Sequence, residues 1–128
     1  MMYGTIRLMR SMTRYEQGDV VIVSFPFTDT YSHKKRPAVI ISRSVFNART
    51  EDVVIAAITS NPQCLAGKES ADQFRIVDQE VENAGLLCDS TVKIGKMVTI
   101  EKKLIMQKRG ALSPAATRAL AVKIKAFF

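Results

Sequence analysis

Residues 18–42 read GDVVIVSFPFTDTYSHKKRPAVIIS, and the fold follows from how this stretch is parsed. Val20, Val21, Ile22, Val23 and Phe25, and again Val39, Ile40 and Ile41, are β-branched or aromatic, the residue types that fit a pleated, half-buried surface. Two strands are therefore predicted, over 19–25 and 37–42, joined by a polar loop. Pro26, Thr28 and Asp29 favour turns over regular structure. The loop delivers Lys34, Lys35 and Arg36 onto Pro37. Proline lacks a backbone donor and sits at the first residue or edge of a strand, so Pro37 is expected to fix where pairing begins and to leave Arg36 at the mouth of the loop.

Working outward, residues 43–52 carry turn formers and read as a turn or short helical connection. The run VVIAAITS, 53–60, is apolar almost throughout, which places it centrally in the sheet. Asn61-Pro62 ends it. A loop follows, then QFRIV (73–77), which alternates polar and apolar as a half-exposed strand does. DQEVENAG (78–85) reads as an acidic turn. Short strands are predicted at 86–94 and 97–100, broken at Gly95, and a last strand over 102–112. Ser113-Pro114 is a helix start, serine accepting from free amides and proline tolerated in the first turn. Ala116, Leu120, Ile124 and Phe127 recur at helical spacing, so this helix should pack one face on the sheet. Short strands with one terminal helix predict a mainly β fold with α additions (α+β): a small, strongly bent barrel with a C-terminal helix. Residues 1–15 hold three bases and no acid and read as a loosely ordered tail, with the folded domain over 16–128.

At 128 residues one core is expected. No window has the roughly 18 apolar residues of a membrane span, and the N-terminus lacks a signal-peptide core, which points to a cytoplasmic protein. Cys64 and Cys88 have neither disulfide-framework nor metal-ligand spacing. No His/Asp/Glu cluster has ligand spacing either, so no metal or other cofactor is expected. The formal charge is +7, unevenly spread: residues 69–89 hold six acids and one base, residues 93–125 nine bases and one acid. A basic surface attracts phosphate backbones, although it also serves simply to keep a protein in solution.

The blocks GDVV-x-V-x-FPFTD…KRPAVIIS, AAITSN and AGLLCDSTVKIGKMVTIEKKLI…GALS, with a closing helix, occur here in one order. They resemble the PemK/MazF family of toxin endoribonucleases of type II toxin-antitoxin systems, over roughly residue 18 to the C-terminus. The resemblance implies an SH3-like barrel, a homodimer, and cleavage of single-stranded mRNA at short sequences to inhibit growth. It also implies a cognate antitoxin protein whose disordered tail wraps the active groove, with operator DNA reached only through that antitoxin. The family's catalytic arginine and threonine fall on Arg36 and Thr59. Two family positions differ: Gly95 stands where some members carry an acid after a cation, here Lys93, and Val98 stands where many carry arginine.

The chemistry agrees with those residue types. RNA is cut when its 2′-hydroxyl is deprotonated, aligned behind the adjacent phosphorus, and the charge on the phosphorane is held. The Arg36 guanidinium can grip two phosphate oxygens at once. Thr59, with Ser60 beside it, can donate a hydroxyl hydrogen bond or orient the nucleophile. His33, the single histidine, is the side chain suited to proton transfer near neutral pH. Phe27 is placed to stack a base, and Lys34, Lys35, Lys93 and Lys96 to line the phosphate path. Each has a plainer alternative: Arg36 in an ion pair with Asp29, Thr59 as ordinary strand composition, His33 as a solvated loop residue. The alternative function is a catalytically impaired RNA- or protein-binding module on the same fold, for which Gly95 and Val98 speak.

Overall fold

The structure, a computed structural model, describes residues 14–128 apart from 26–33, with the backbone alone at Phe25 and Lys34. The expected tail up to residue 13, Phe27 and His33 lie outside the described residues. Among the described residues, β1 (Asp19–Phe25), β2 (Lys34–Ile40), β3 (Asp52–Thr59), β4 (Gln73–Ile76), β5 (Ser90–Glu101) and β6 (Ile105–Ala111) form one antiparallel sheet in the order β4-β5-β3-β2-β1-β6. Helices α1 (Ser44–Arg49), α2 (Gln79–Asn83) and α3 (Pro114–Phe127) complete the α+β fold, with the expected helix at the C-terminus. Hydrogen bonding leaves the sheet open, with β4 and β6 at its edges. None of the described helices is long and apolar enough to cross a membrane.

The alternation of β1 and β3 divides the core in two. Val20, Val39, Ala56, Ile58, Val92 and Ile94 point to one face, where Leu120, Ala116 and Ile124 of α3 and Val81 and Ala84 around α2 cover them. Val21, Val23, Ala38, Ile40, Val53, Ile55 and Ile100 point to the other, closed by Tyr15, Leu104 and Ile105. Burying each of these valine, leucine and isoleucine side chains contributes about 1.5–3 kcal/mol. On the second face the buried Asn47 of α1 is fully engaged: its amide donates to the carbonyls of Tyr15 (2.7 Å) and Ser42 (3.0 Å), and its oxygen accepts from the Ser42 hydroxyl. Tyr15 is thereby tied to the domain, and burial pushes its phenol upward against the opposing charge of Lys108.

Several elements differ from the sequence-based expectations for physical reasons. β2 begins at Lys34, not Pro37, because Lys34, Lys35 and Arg36 pair with Phe25, Ser24 and Val23. The acidic turn is instead the helix α2, since Val81 and Ala84 gain core contacts that outweigh weak local propensity. The two short strands are one, β5: Ala56 pairs with Met97 and Ala57 with Lys93, so residues 94–96 loop out without ending the strand. The last strand starts at Ile105 because a 3-10 turn, Lys102–Leu104, precedes it. Phe127 leaves the packed stripe of α3 and meets Phe128 edge to face, ring centres 4.9 Å apart.

Candidate active site

β2 is bonded to β1 from Lys34 onward, but its ladder with β3 starts only at Ala38↔Ala57. Pro37, with no N–H to give, stands at that boundary. Carried two residues past the boundary, the same register sets Arg36 opposite Thr59. Both stand where β2 and β3 are no longer joined, and both line one groove of about 340 Å³. Ile22, Pro37 and Ile58 line it as well, on the face that α2 and α3 cover elsewhere, and Ser60 borders it beside Thr59. Across from them run Leu86, Leu87, Cys88 and Ser90, with Leu87 93% exposed at the rim. The Ser90 hydroxyl donates to the Cys88 carbonyl (3.0 Å) and holds this connection in shape.

Thr59 is oriented locally by the sequence Thr-Ser-Asn-Pro. The Asn61 amide donates to the Thr59 hydroxyl oxygen (3.2 Å), while the Asn61 side chain accepts from the Gln63 amide (3.0 Å) and caps the 3-10 turn Pro62–Leu65. With its oxygen occupied by a donor, the Thr59 hydroxyl is left to give its own proton to an acceptor such as a phosphate oxygen. Arg36 is exposed and presents a charged donor fork.

The structure brings Arg36, Thr59 and Ser60 into one groove. Lys35 is exposed beside it on β2, Lys93 is half-buried on β5, and Lys96 is exposed in the 94–96 loop; none of the three lines the groove. The side chain of Lys34, like Phe27 and His33, is outside the description. Gly95 is exposed, with nothing within 4 Å of where a Cβ would stand, and Val98 packs on the second core. Among the described residues no three His, Cys, Asp or Glu side chains form a cluster that could hold a metal.

One charged lining residue escaped the reading of the sequence. Arg109 of β6 reaches the groove, where no acidic residue is among the described lining, so the described lining charge is the pair Arg36 and Arg109. The signal available was only the local triplet Lys-Arg-Gly, which in a one-dimensional reading belongs to an ordinary strand.

The sequence profile of the PemK-like, MazF-like toxins of type II toxin-antitoxin systems matches residues 16–128. The chain belongs to this family. Among solved structures of similar fold is an endoribonuclease in complex with its cognate antitoxin from a mycobacterial species, with a TM-score of 0.66 and 16% identity, covering 87% of this chain and 91% of that one. The Mycobacterium tuberculosis toxin MazF-mt6 superposes with a TM-score of 0.64 at 24% identity, over 85% of this chain and 95% of the other. MazF from Deinococcus radiodurans gives 0.65 at 14%, over 89% and 96%. At these identities the likeness is one of fold. Comparison with curated proteins gives no significant match. In this PemK-like, MazF-like toxin, then, the β2/β3 fork is the part of the shared fold that gathers an arginine and an oriented hydroxyl.

Proposed function

We propose that this toxin is an endoribonuclease that cleaves single-stranded mRNA in a sequence-dependent way, with Arg36 and Thr59 as its catalytic residues and Ser60 in support. The observation that carries the reading is the fork itself: Arg36 opposite Thr59, in a groove with no acid among its described lining residues, in a chain of this family. An RNA phosphate seated there receives the Arg36 guanidinium on its non-bridging oxygens and the Thr59 hydroxyl as a further donor. The 2′-hydroxyl loses its proton to a base or to water and its oxygen bonds to phosphorus. The bond to the 5′-oxygen then breaks, and that oxygen takes up a proton. The products are a 2′,3′-cyclic phosphate and a 5′-hydroxyl, by a route that RNA chemistry permits without a metal. Donors preset for the phosphorane contribute most of the acceleration, each on the order of 10²–10³-fold. His33 is a further proton-transfer residue, Phe27 a base platform, and Lys34, Lys35, Lys93 and Lys96 the outer phosphate path. The working species is a cytoplasmic homodimer held in check by a cognate antitoxin, with residues 16–128 as its domain.

Purified protein incubated with a long RNA in EDTA, with the new ends mapped by primer extension, tests this directly. Discrete cuts from the wild type that weaken on the order of a hundredfold or more in Arg36→Ala and Thr59→Ala support the reading. Absence of cuts from the wild type, or equal cutting by both variants, overturns it. Binding without cutting, and without growth arrest on expression, favours the second reading, an impaired binding module, which the exposed Gly95 and the core-packed Val98 support.

A further inference from the structure

The far wall of the groove is built around an irregularity in β6. Val20 of β1 pairs with Gly110 and Val21 with Lys108, so Arg109 is one residue too many in the ladder. In such a bulge two residues oppose one, which re-aims side chains that a regular strand would send alternately to the two faces. Arg109 and Gly110 thus both stand opposite Val20, on the face that carries Ile22 of the groove and the helices. Lys108 goes elsewhere: its ammonium pairs with the buried carboxylate of Asp19 at 3.1 Å.

The bulge is held by two close approaches. A Cβ on Gly110 would collide with the Asn83 carbonyl at the end of α2, and one on Gly85 would collide with the carbonyl of Arg109. Gly85 has φ +70, which glycine alone adopts without cost. Its own carbonyl accepts from Arg109 Nε at 3.4 Å. The arm of Arg109 is thereby anchored at Nε, and its two terminal nitrogens remain for a ligand in the groove it lines. β2 and β6 flank β1, so Arg36 and Arg109 enter from strands roughly 10 Å apart, at ~4.8 Å per strand spacing.

We infer that Arg109 is a second phosphate-binding residue of this groove, holding the backbone of single-stranded RNA at a phosphate beside the one gripped by Arg36. This rests on the ribonuclease reading above and adds a residue to it. Arg109 binds and does not take part in bond breaking, so its loss acts on KM rather than on kcat.

Wild type, Arg109→Ala, Arg109→Lys and Lys125→Ala are compared on one RNA, over RNA concentration and over salt, each with a thermal melt. Losing a charge-assisted bidentate contact raises KM about tenfold in Arg109→Ala, with kcat kept within about twofold. The slope of log affinity against log salt becomes shallower by about 0.7, the share of one single-strand phosphate contact. Arg109→Lys keeps the slope and recovers only part of KM, since an ammonium is a point charge. Lys125→Ala removes the same charge from the exposed side of α3 and leaves the slope as in wild type. Unchanged KM and slope in Arg109→Ala, or an equal change in Lys125→Ala, overturns the inference while the ribonuclease reading stands. A wild type that neither binds nor cuts RNA overturns the ribonuclease reading, and this inference with it. If it binds without cutting, the same slopes are read from binding isotherms. Should Arg109→Ala melt early, Arg109→Lys decides: a raised KM at wild-type slope supports the inference, and wild-type KM sinks it.

Discussion

Two ladders bring an arginine to one groove by different means. β2 and β3 do it through regular register: ordinary pairing from Ala38↔Ala57, projected past Pro37, sets Arg36 against Thr59. β1 and β6 do it through a fault, the bulge at Arg109, kept in place by glycines that let α2 and its exit press against the strand. The regular pair is maintained by hydrogen bonds that any sequence can make. The bulged pair depends on particular residues elsewhere. The lesson is that the two walls of the groove should fail separately.

The strongest attempt to break that separation is Gly85→Ala. A Cβ at φ +70 that also meets the Arg109 carbonyl should cost about 2–3 kcal/mol in urea unfolding. Among molecules still folded, KM for RNA should rise as it does in Arg109→Ala, while kcat holds. A matching fall in kcat would mean that the two walls move as one.

Glu80 offers a milder test, because its carboxylate ties α2, which presses on the bulge, to the start of α3. The Glu80 carboxylate accepts from the amide (2.9 Å) and the hydroxyl of Ser113, and that hydroxyl in turn accepts from Ala116 at the start of α3 (3.1 Å). Burial pushes the Glu80 carboxyl up, but the hydrogen bonds from Ser113 and Asn83 outweigh it and leave it below its ordinary value. Because the folded value is the depressed one, this stabilisation is present above the ordinary carboxylate range and is lost as pH falls through the lowered value. Glu80→Gln should thus cost no more than about 1 kcal/mol at neutral pH, and the gap from wild type should close as pH falls below the ordinary carboxylate range. A gap that persists in acid would assign the effect to packing instead of charge.

On the regular side, Asn61→Ala removes the cap of the 3-10 turn beside Thr59. A stability loss of about 0.5 kcal/mol and a two- to threefold lower kcat, roughly what that energy is worth, are expected, with KM unchanged. A shift in KM alone would place Thr59 in binding and not in chemistry.

What the sequence disclosed follows the same division. β1 was legible residue for residue, and β3 and α3 nearly so, because a β-branched cluster, an apolar run and a Ser-Pro cap are local signals. Arg36 and Thr59 were singled out by the resemblance that the KRP and ITSN blocks carry, and the structure sets both along one groove. The helix α2, the loop at 94–96 within β5 and the place of Arg109 in the groove were not legible, because each depends on what presses against it from another part of the chain. An acidic turn-like stretch becomes helical only once Val81 and Ala84 find the core. A bulge has no period, so Lys-Arg-Gly gives no hint of which face its arginine takes.

β1 lies between the two arginine-bearing strands and, among its described side chains, contributes no charge to the groove. It is the ruler of the site: Val23 marks where Arg36 stands and the Val20–Val21 step marks where Arg109 stands. Both marks are fixed by valines buried in the core on either face of the sheet. A slip of one residue would exchange the two faces and force each valine into the packing of the opposite core, so the interval between the two cations is guarded by close packing rather than by charge. Selection on the distance between neighbouring phosphates would thus be recorded in a strand whose described side chains offer them no charge.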